Sequence, residues 1–246
     1  MLCVVASMLV ACSGGAGCAD RTCTRVLFVG NSYISVNDLP ATFAKLAASG
    51  GRHVQTAMLA EGGWSLAQQV ASSETAGKLA SAKWDVVVLQ EQSLIPSVDT
   101  SQRDQMFPAA RQLVHLVRDA GARPVFFDTW ARRDGWPEYG LADYAEMQAA
   151  IDGAYLAIAG EQSAALAAVG TAWQRVVDQE PQPGLWQEDG SHPTMKGTYL
   201  AACVFYAAIF ASSPQSLTYR AGLPPGEAAY LQTVAADAVL NSARSR

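Results

Sequence analysis

"RVLFVGNSYI", residues 25–34, is the stretch that decides the fold. Val26 to Gly30 form an apolar run of the kind that is buried in a parallel sheet. The chain then turns through Gly30 and Asn31 onto Ser32. Taken alone, Ser32 is either a residue that caps a following helix or a nucleophile presented at the end of a strand. The rest of the sequence has to separate these two interpretations.

Strand and helix patterns alternate along the remainder of the chain. The further predicted strands are HVQTAMLA (53–60), WDVVVLQ (84–90), RPVFFDTW (123–130) and ALAAVGTAW (165–173). The predicted helices lie around residues 39–48, 65–82, 103–120, 142–159, 195–211 and 226–243. This order predicts an α/β fold, a three-layer, doubly wound, flavodoxin-like sheet of about five parallel strands with helices on both faces. Sites in such sheets lie outside the carboxyl ends of the strands.

Composition excludes several classes of protein. Hydrophobic residues make up 50% of the 246 residues and charged residues 16%, which excludes a disordered, highly charged chain. The net charge is −5 and the basic residues are scattered, so nucleic acid is not expected as a partner. Metal-ligating residues do not cluster in the sequence, and no G-x-G-x-x-G motif occurs. No metal ion or other cofactor is therefore expected.

Residues 1–24 are predicted to be a targeting segment and tether, and residues 25–246 a single domain. The stretch MLCVVASMLVAC (1–12) is almost entirely apolar, too short to span a bilayer, and typical of a secretion signal. Its end resembles the processing site of bacterial lipoproteins, which would make Cys12 the lipidated residue. No basic residue precedes Arg21, so an ordinary signal peptide or an earlier true start stays open. Export to the periplasm or outer surface is expected, with the lipid anchor as the contact with the membrane.

The cysteines outside the apolar segment are consistent with export. Cys18 and Cys23 are spaced to close a small disulfide loop before the first strand, which an oxidising compartment would permit. Cys203 lies in an apolar helix and is interpreted as a buried core thiol.

A hydroxyl nucleophile needs a base, and the chain has only three histidines. His53 begins the second strand and therefore lies at the wrong end of the sheet. His115 lies among leucine and valine inside a helix. His192 follows the fifth strand in a loop, immediately before a helix, which is where a site is expected. His192 is therefore the candidate base.

The base in turn needs an acid that fixes its orientation. Asp189 precedes His192 by three residues, and in a turn this spacing brings a carboxylate against the imidazole Nδ1. Nε2 then faces a serine. Glu91 and Glu188 are alternative orienting acids. Ser32, His192 and Asp189 are the candidate catalytic residues.

The combination of these motifs resembles the SGNH/GDSL hydrolase superfamily of serine esterases. The shared features are Gly-Asn-Ser after strand one, a glycine turn after strand two, a polar segment after strand three, and Asp-x-x-His-Pro near the C-terminus. The resemblance implies Ser32 as the nucleophile, His192 as the general base and Asp189 as its orienting acid. Family members usually have Gly-Asp-Ser at the first site, where this chain has Asn31.

The resemblance also implies an oxyanion hole, to which a glycine N–H contributes after strand two. The family often has Ser or Thr two positions after that glycine. In EGGWS (61–65), this frame selects Gly63 over Gly62. After strand three the family usually has Gly-x-Asn-Asp, and the Asn amide donates to the oxyanion.

This third motif is where the chain differs most from the family pattern, because it has QEQS at residues 90–93. Gln92 falls at the position of the Asn, and its longer side chain also carries an amide donor. Gln90 is the alternative donor. The expected oxyanion hole consists of the N–H groups of Ser32 and Gly63 and the amide of Gln92.

Several tryptophans follow strands or lie in loops around the expected site. Flat aromatic faces suit a sugar ring or an acyl group, and they equally suit a packed loop. The residues expected to contact the substrate are Asn31, Trp64, Gln90 and Trp130. Arg132 and Arg133 lie at the same edge of the sheet, where a cation can meet an anionic group.

The predicted function is that of an exported serine esterase acting on a small acyl ester, for example an O-acetyl group on an extracellular carbohydrate. A lysophospholipase or thioesterase with the same catalytic residues is one alternative, which a preference for long acyl chains would reveal. The altered third motif keeps open a second alternative, a non-catalytic carbohydrate-binding lipoprotein. A phosphate or nucleotide binder at the strand-one turn is a third, but it would not need the Asp189 and His192 pair.

Overall fold

A computed structural model describes residues 23–180 and 183–241. These residues form an all-parallel sheet with the strand order β2-β1-β3-β4-β5. The strands are β1 (Cys23–Gly30), β2 (His53–Ala60), β3 (Val86–Leu89), β4 (Arg123–Asp128) and β5 (Ala165–Ala168). This is the order of doubly wound, flavodoxin-like sheets, so the predicted fold class is confirmed.

Helices cover both faces of the sheet. Helix α2 packs on α9 over one face, whereas α3, α6 and α7 cover the other. In chain order the α-helices are α1 (Ser32–Ser35), α2 (Leu39–Ser49), α3 (Leu66–Ala71), α4 (Ser73–Ala80), α5 (Asp99–Ser101), α6 (Phe107–Asp119), α7 (Tyr144–Glu161), α8 (Val169–Gln179), α9 (Met195–Phe210) and α10 (Pro225–Ala236).

The interior strands β1, from Val26 onward, and β3 are buried on both faces, which explains their continuous apolar sequences. On one face, Phe28 of β1 makes edge contacts with Phe43 of α2 at 6.0 Å and with Phe205 of α9 at 5.3 Å. On the other face, Phe126 of β4 lies 6.4 Å from Tyr155 of α7. The chain leaves β1 for β2 and then crosses back to β3. The carboxyl ends of β1 and β3 therefore flank the switch point of the sheet, where sites form.

The fifth strand is shorter than the sequence predicts. It ends at Ala168, and the following residues, predicted as strand, begin α8. Val169, Ala172, Trp173 and Val176 are all buried on one side of α8, a helical spacing that a short apolar run conceals. Gly170 permits the close approach of α8, since a Cβ there would lie 2.5 Å from the carbonyl oxygen of Thr129.

Two predicted helices also differ in detail. The helix expected over residues 65–82 is divided at Ser72, whose hydroxyl accepts the N–H of Glu74 and so caps α4. The helix expected from residue 103 begins as a π-helical turn, Gln102–Met106, before α6. Strand β1 begins at Cys23, two residues before the expected start of the domain.

The predictions for the N-terminal segment, including lipidation of Cys12, fall outside the described residues. Cys23 is disulfide-bonded, and Cys18, its expected partner, also lies outside the described residues. Cys203 is a free, buried thiol in α9. Within residues 23–180 and 183–241, no helix is long and apolar enough to cross a membrane.

Candidate active site

Ser32 is the first residue of α1 and lies two residues after the end of β1. Asn31 caps this helix with an extended backbone (φ −143°, ψ −153°), and its side-chain oxygen accepts the N–H of Tyr33 at 3.2 Å. The Ser32 side chain therefore stands at the carboxyl edge of a central strand. Its own N–H forms no backbone hydrogen bond with the rest of the described chain, which leaves this donor available to a ligand.

His192 joins Ser32 to Asp189. Its Nε2 lies 2.9 Å from the Ser32 Oγ, and its Nδ1 lies 2.5 Å from the Asp189 Oδ2. With the proton on Nδ1 donated to Asp189, Nε2 is left to accept the hydroxyl proton of Ser32. The structure thus brings together the three side chains that the sequence selects. This arrangement fits a nucleophile, a base and an orienting acid.

Asp189 is held by its own turn. Its Oδ1 accepts the backbone N–H groups of Ser191 and His192, each at 2.9 Å. Partial burial raises the pKa of Asp189, but the hydrogen bonds from the His192 side chain and these two N–H groups outweigh it and lower the pKa to about 2. The carboxylate is therefore ionised at neutral pH. Asp189, rather than the alternatives Glu91 and Glu188, contacts the imidazole.

The loop that carries His192 is closed by backbone hydrogen bonds. The N–H of Gln187 donates to the carbonyl of His192 at 2.8 Å. Between them, Gly190 adopts a positive φ of 67°, a conformation that favours glycine. The side-chain amide of Asn37 donates to the carbonyl of Pro193 at 2.9 Å. The loop is thereby fixed to the segment that follows α1.

A stack of aromatic rings supports the site. The ring of Tyr33 lies edge-on to His192 at 5.9 Å and stacks on Trp130 at 4.5 Å. Trp130 in turn stacks on Trp173 of α8 at 4.1 Å. The Trp130 indole N–H donates to the carbonyl of Ser191 at 2.9 Å, and the Tyr33 hydroxyl lies 2.8 Å from the Ser191 hydroxyl. The stack therefore holds the histidine loop against α1.

The expected contact between Trp130 and the substrate is wrong. Trp130 is 0% exposed, because its ring lies between Tyr33 and Trp173 and its N–H is used by Ser191. Sequence reasoning missed Trp173, which it placed in a strand. The helical spacing of apolar residues from Val169 to Val176 was the signal that could have identified it.

The turn after β2 is fastened beside Ser32. Gly63 has a positive φ of 73°, and the turn closes with a hydrogen bond of 3.2 Å from the Trp64 N–H to the Glu61 carbonyl. The Trp64 carbonyl accepts the side-chain amide of Asn31 at 2.9 Å. The Gly63 N–H makes no backbone hydrogen bond with the described residues. Gly63 is exposed, so this donor is open to a ligand.

Gln90 and Asn31 are internal, and their expected contacts with the substrate are wrong. Gln90 is fully buried after β3, and its side-chain oxygen accepts the N–H of Asn31 at 2.9 Å. Its amide nitrogen donates to the Glu91 carbonyl. Asn31 is buried, and both ends of its side chain are engaged, with Trp64 and Tyr33. Of the residues expected to contact the substrate, only Trp64 keeps exposed surface.

Gln92 is the amide donor that fits the third motif. It is partly exposed, and its side-chain oxygen accepts the N–H of Leu94 at 2.8 Å. Its amide nitrogen has no hydrogen-bond partner within residues 23–180 and 183–241. The engaged oxygen leaves the amide nitrogen of Gln92 available as a donor.

Glu91 is the polar residue whose position the sequence did not predict. It is fully buried, and one carboxyl oxygen accepts the N–H groups of Leu66 at 3.0 Å and Gln92 at 2.7 Å. Burial raises the pKa of Glu91 to about 7, although these two hydrogen bonds act in the opposite direction. The order Gln-Glu-Gln gave no signal for this placement.

The other two histidines lie apart from Ser32. His53 is exposed at the amino end of β2, and His115 pairs with Asp119 at 2.7 Å on the outside of α6. Arg132 lies over the Trp136 ring at 5.3 Å. Among the described residues, no group of three or more His, Cys, Asp or Glu side chains is placed to hold a metal ion.

No protein-family model and no curated protein matches the chain. Solved structures do match it. A protein of Slackia heliotrinireducens, provisionally assigned to the SGNH hydrolases, is 28% identical with a TM-score of 0.64 and covers 76% of this chain and 99% of its own. A DUF4886 family protein of Bacteroides uniformis is 21% identical with a TM-score of 0.77, and the match covers 89% of this chain and 96% of that protein.

An enzyme of known class has the same fold. Axe2, an acetylxylan esterase of Geobacillus stearothermophilus, is 16% identical with a TM-score of 0.60 and covers 76% of this chain and 94% of its own. At this identity, the likeness concerns the fold. Together with the Slackia protein, it shows that this chain has the fold of the SGNH/GDSL hydrolases and esterases among its structural neighbours.

Proposed function

We propose that this protein is a serine esterase that removes O-acetyl groups from a carbohydrate through a covalent acyl-enzyme. The observation that carries the proposal is the continuous contact from Ser32 through His192 to Asp189. A serine hydroxyl is a weak nucleophile unless a base is in contact with it and that base is oriented. Both contacts are made here.

In the proposed first half-reaction, the Ser32 oxygen attacks the ester carbonyl carbon while its proton passes to Nε2 of His192. The electron pair of the C=O bond moves onto the carbonyl oxygen. When the tetrahedral intermediate collapses, the bond to the alcohol oxygen breaks and that oxygen takes the proton from His192. Asp189 stays ionised and stabilises the imidazolium.

In the second half-reaction, water gives a proton to Nε2 of His192 and its oxygen attacks the acyl carbon. Collapse of this intermediate breaks the bond to the Ser32 oxygen, which recovers its proton from His192. Acetic acid is released, which ionises to acetate and a proton in solution, and the starting state of the enzyme is restored. No step requires a metal ion or a redox cofactor.

The proposed oxyanion hole consists of the N–H groups of Ser32 and Gly63 and the side-chain amide of Gln92. None of these donors has a hydrogen-bond acceptor among the described residues. Donors of this kind act by stabilising the charge that develops on the carbonyl oxygen, and the loss of one typically costs about 2.7–4 kcal/mol.

Two observations support a carbohydrate ester as the substrate. One structural neighbour, Axe2, is an acetylxylan esterase. Trp64 keeps exposed surface beside the site, and Tyr139 is 56% exposed and packs against Trp136 at 3.8 Å. Exposed rings suit the apolar face of a sugar. Export and lipid anchoring through Cys12 would place the enzyme beside such polymers and belong to the same proposal.

The test is to label the full chain with a fluorophosphonate and to map the label by mass spectrometry. We expect the label on Ser32, lost in Ser32→Ala and His192→Ala but kept in the control Ser35→Ala, which removes another serine of the same short helix. A folded wild-type protein that takes no label and still binds glycans would instead support the non-catalytic alternative.

A panel of esters tests the substrate class. We expect acetylated oligosaccharides to be hydrolysed with a higher kcat/KM than esters of long-chain fatty acids. The opposite order would reject the carbohydrate proposal in favour of a lysophospholipase or thioesterase. The Ser32→Ala variant provides the background rate for each substrate.

A further inference from the structure

The segment that replaces the usual third motif contacts both of the other motifs. Gln90 reaches the turn after β1, where its side-chain oxygen accepts the Asn31 N–H at 2.9 Å. Glu91 reaches the turn after β2, where its Oε1 accepts the N–H of Leu66, the first residue of α3, at 3.0 Å. Neighbouring residues of one segment therefore hold the two turns that carry Ser32 and Gly63.

The Glu91 carboxyl joins the turn after β2 to its own segment. The same oxygen that accepts the Leu66 N–H also accepts the Gln92 N–H at 2.7 Å. Leu66 follows the Gly63 turn by three residues, and Gln92 carries the amide of the proposed oxyanion hole. This one oxygen atom therefore binds a backbone N–H near Gly63 and the backbone N–H of Gln92, two of the three residues that carry the proposed oxyanion-hole donors.

Glu91 occupies a costly position for a carboxyl group. The residue is 0% exposed, and its Oε2 is buried without a hydrogen-bond partner among the described residues. No ion pair offsets this burial within residues 23–180 and 183–241. Burial of such a group is unfavourable, and an apolar side chain would fill the space at lower cost. What an apolar side chain cannot supply is an acceptor for the two backbone N–H groups.

We propose that Glu91 is a positioning residue, whose carboxyl oxygen sets the distance between the Gly63 N–H and the Gln92 amide in the oxyanion hole. This inference rests on the proposed function. The hole acts on the transition state, so its geometry affects kcat more than ground-state binding. Misplacement by about 1 Å can lower a rate on the order of 100-fold.

The test compares two substitutions in the full chain. Glu91→Met has a similar volume but no acceptor, and we expect kcat to fall on the order of 100-fold while KM changes less than about threefold. Its affinity for a small alkylboronic acid, which forms a tetrahedral adduct with the serine, should fall in parallel. Glu91→Gln keeps an acceptor oxygen and should recover kcat to within about tenfold of wild type.

Asp85→Asn is the control. The Asp85 carboxylate also accepts a backbone N–H, that of Arg25 at 2.7 Å, but at the amino edge of the sheet. We expect this variant to keep the wild-type kcat and boronate affinity even if its stability falls. Glu91→Met with wild-type kcat and boronate affinity would overturn the positioning role.

Amide hydrogen exchange of the wild type gives a second measurement that does not depend on the folding of a variant. The Leu66 and Gln92 N–H groups should exchange slowly, and exchange as fast as in an open loop would overturn the proposal. A wild type that neither hydrolyses esters nor takes the fluorophosphonate label at Ser32 would overturn the proposed function itself, and the positioning role with it.

Discussion

Asp189 shows how a partly exposed carboxylate can serve a defined role. Its side chain is 46% exposed, so simple attraction to His192 would be weakened by solvent. The two backbone N–H groups that bind its Oδ1 fix the carboxylate in place, and the other oxygen is left for the imidazole. Orientation therefore comes from the turn rather than from burial.

Asp189→Asn should lower kcat by about 10²–10⁴-fold, because an amide can present its N–H₂ to Nδ1 and so favour the tautomer that cannot accept the serine proton. Ester hydrolysis at pH 7 to 8 measures this loss. Asp119→Asn is a matched control, since Asp119 contacts the imidazole of His115 in the same way on the protein surface. An Asp189→Asn variant with wild-type kcat would contradict the orienting role.

At the scale of elements, the site depends on the close approach of β1 and β3 at their carboxyl ends. A Cβ on Gly30 would lie 2.3 Å from the Gln90 side-chain oxygen and 2.7 Å from the Ile34 side chain. The absence of a side chain at Gly30 therefore allows Gln90 to reach the Asn31 N–H. The backbone conformation at Gly30 is not in the left-handed region, so the requirement is one of space.

Gly30→Ala should displace Gln90 and lower both stability, by about 1–3 kcal/mol, and kcat. Urea unfolding and ester hydrolysis measure the two effects. Gly77→Ala serves as the control, because a Cβ on Gly77 in α4 would meet no atom within 4 Å and should stabilise the helix by up to about 1 kcal/mol. Equal behaviour of the two variants would show that the space at Gly30 is not needed.

The sequence predicts most of the elements, and it selects Ser32, Asp189 and His192, whose side chains the fold brings together. Local signals carry both predictions. The apolar run before Ser32 identifies β1, and the spacing of Asp189 and His192 identifies their turn. The roles of Trp130 and Glu91 could not be predicted, since they depend on which side chains meet across the fold. Trp130 lies at the end of a strand, where residues that line a site are expected. Its stacking partner Trp173 lies in α8, whose first residues have a sequence pattern that predicts a strand.

At the scale of the whole molecule, the buried Glu91 affects how stability depends on pH. Its folded-state pKa of about 7 lies above its ordinary value of 4.5. Between these values the folded protein keeps a proton that the unfolded chain releases, so the free energy of unfolding falls as pH rises through this range. The slope from one such group is at most about 1.4 kcal/mol per pH unit. The Tyr155 hydroxyl accepts the Glu91 N–H at 3.0 Å, and burial raises the pKa of this hydroxyl.

Glu91→Gln should remove this part of the pH dependence. We expect its free energy of unfolding to decline less than that of wild type between pH 4.5 and 7, as measured by urea unfolding at several pH values. Asp128 and Asp152 also have pKa values raised by burial and contribute equally to both proteins. Parallel curves for wild type and variant would contradict the raised pKa of Glu91.

The proposed nucleophile, Ser32, and its proposed base, His192, are separated by 160 residues of chain. A ribosome adds about 5–20 residues per second, so the histidine is synthesised on the order of ten seconds after the serine. Throughout that interval Ser32 is an ordinary alcohol with no group to take its proton. Under the proposed mechanism, the unfinished polypeptide therefore cannot attack the esters around it, and reactivity arises only when the last third of the sequence closes over the first strand.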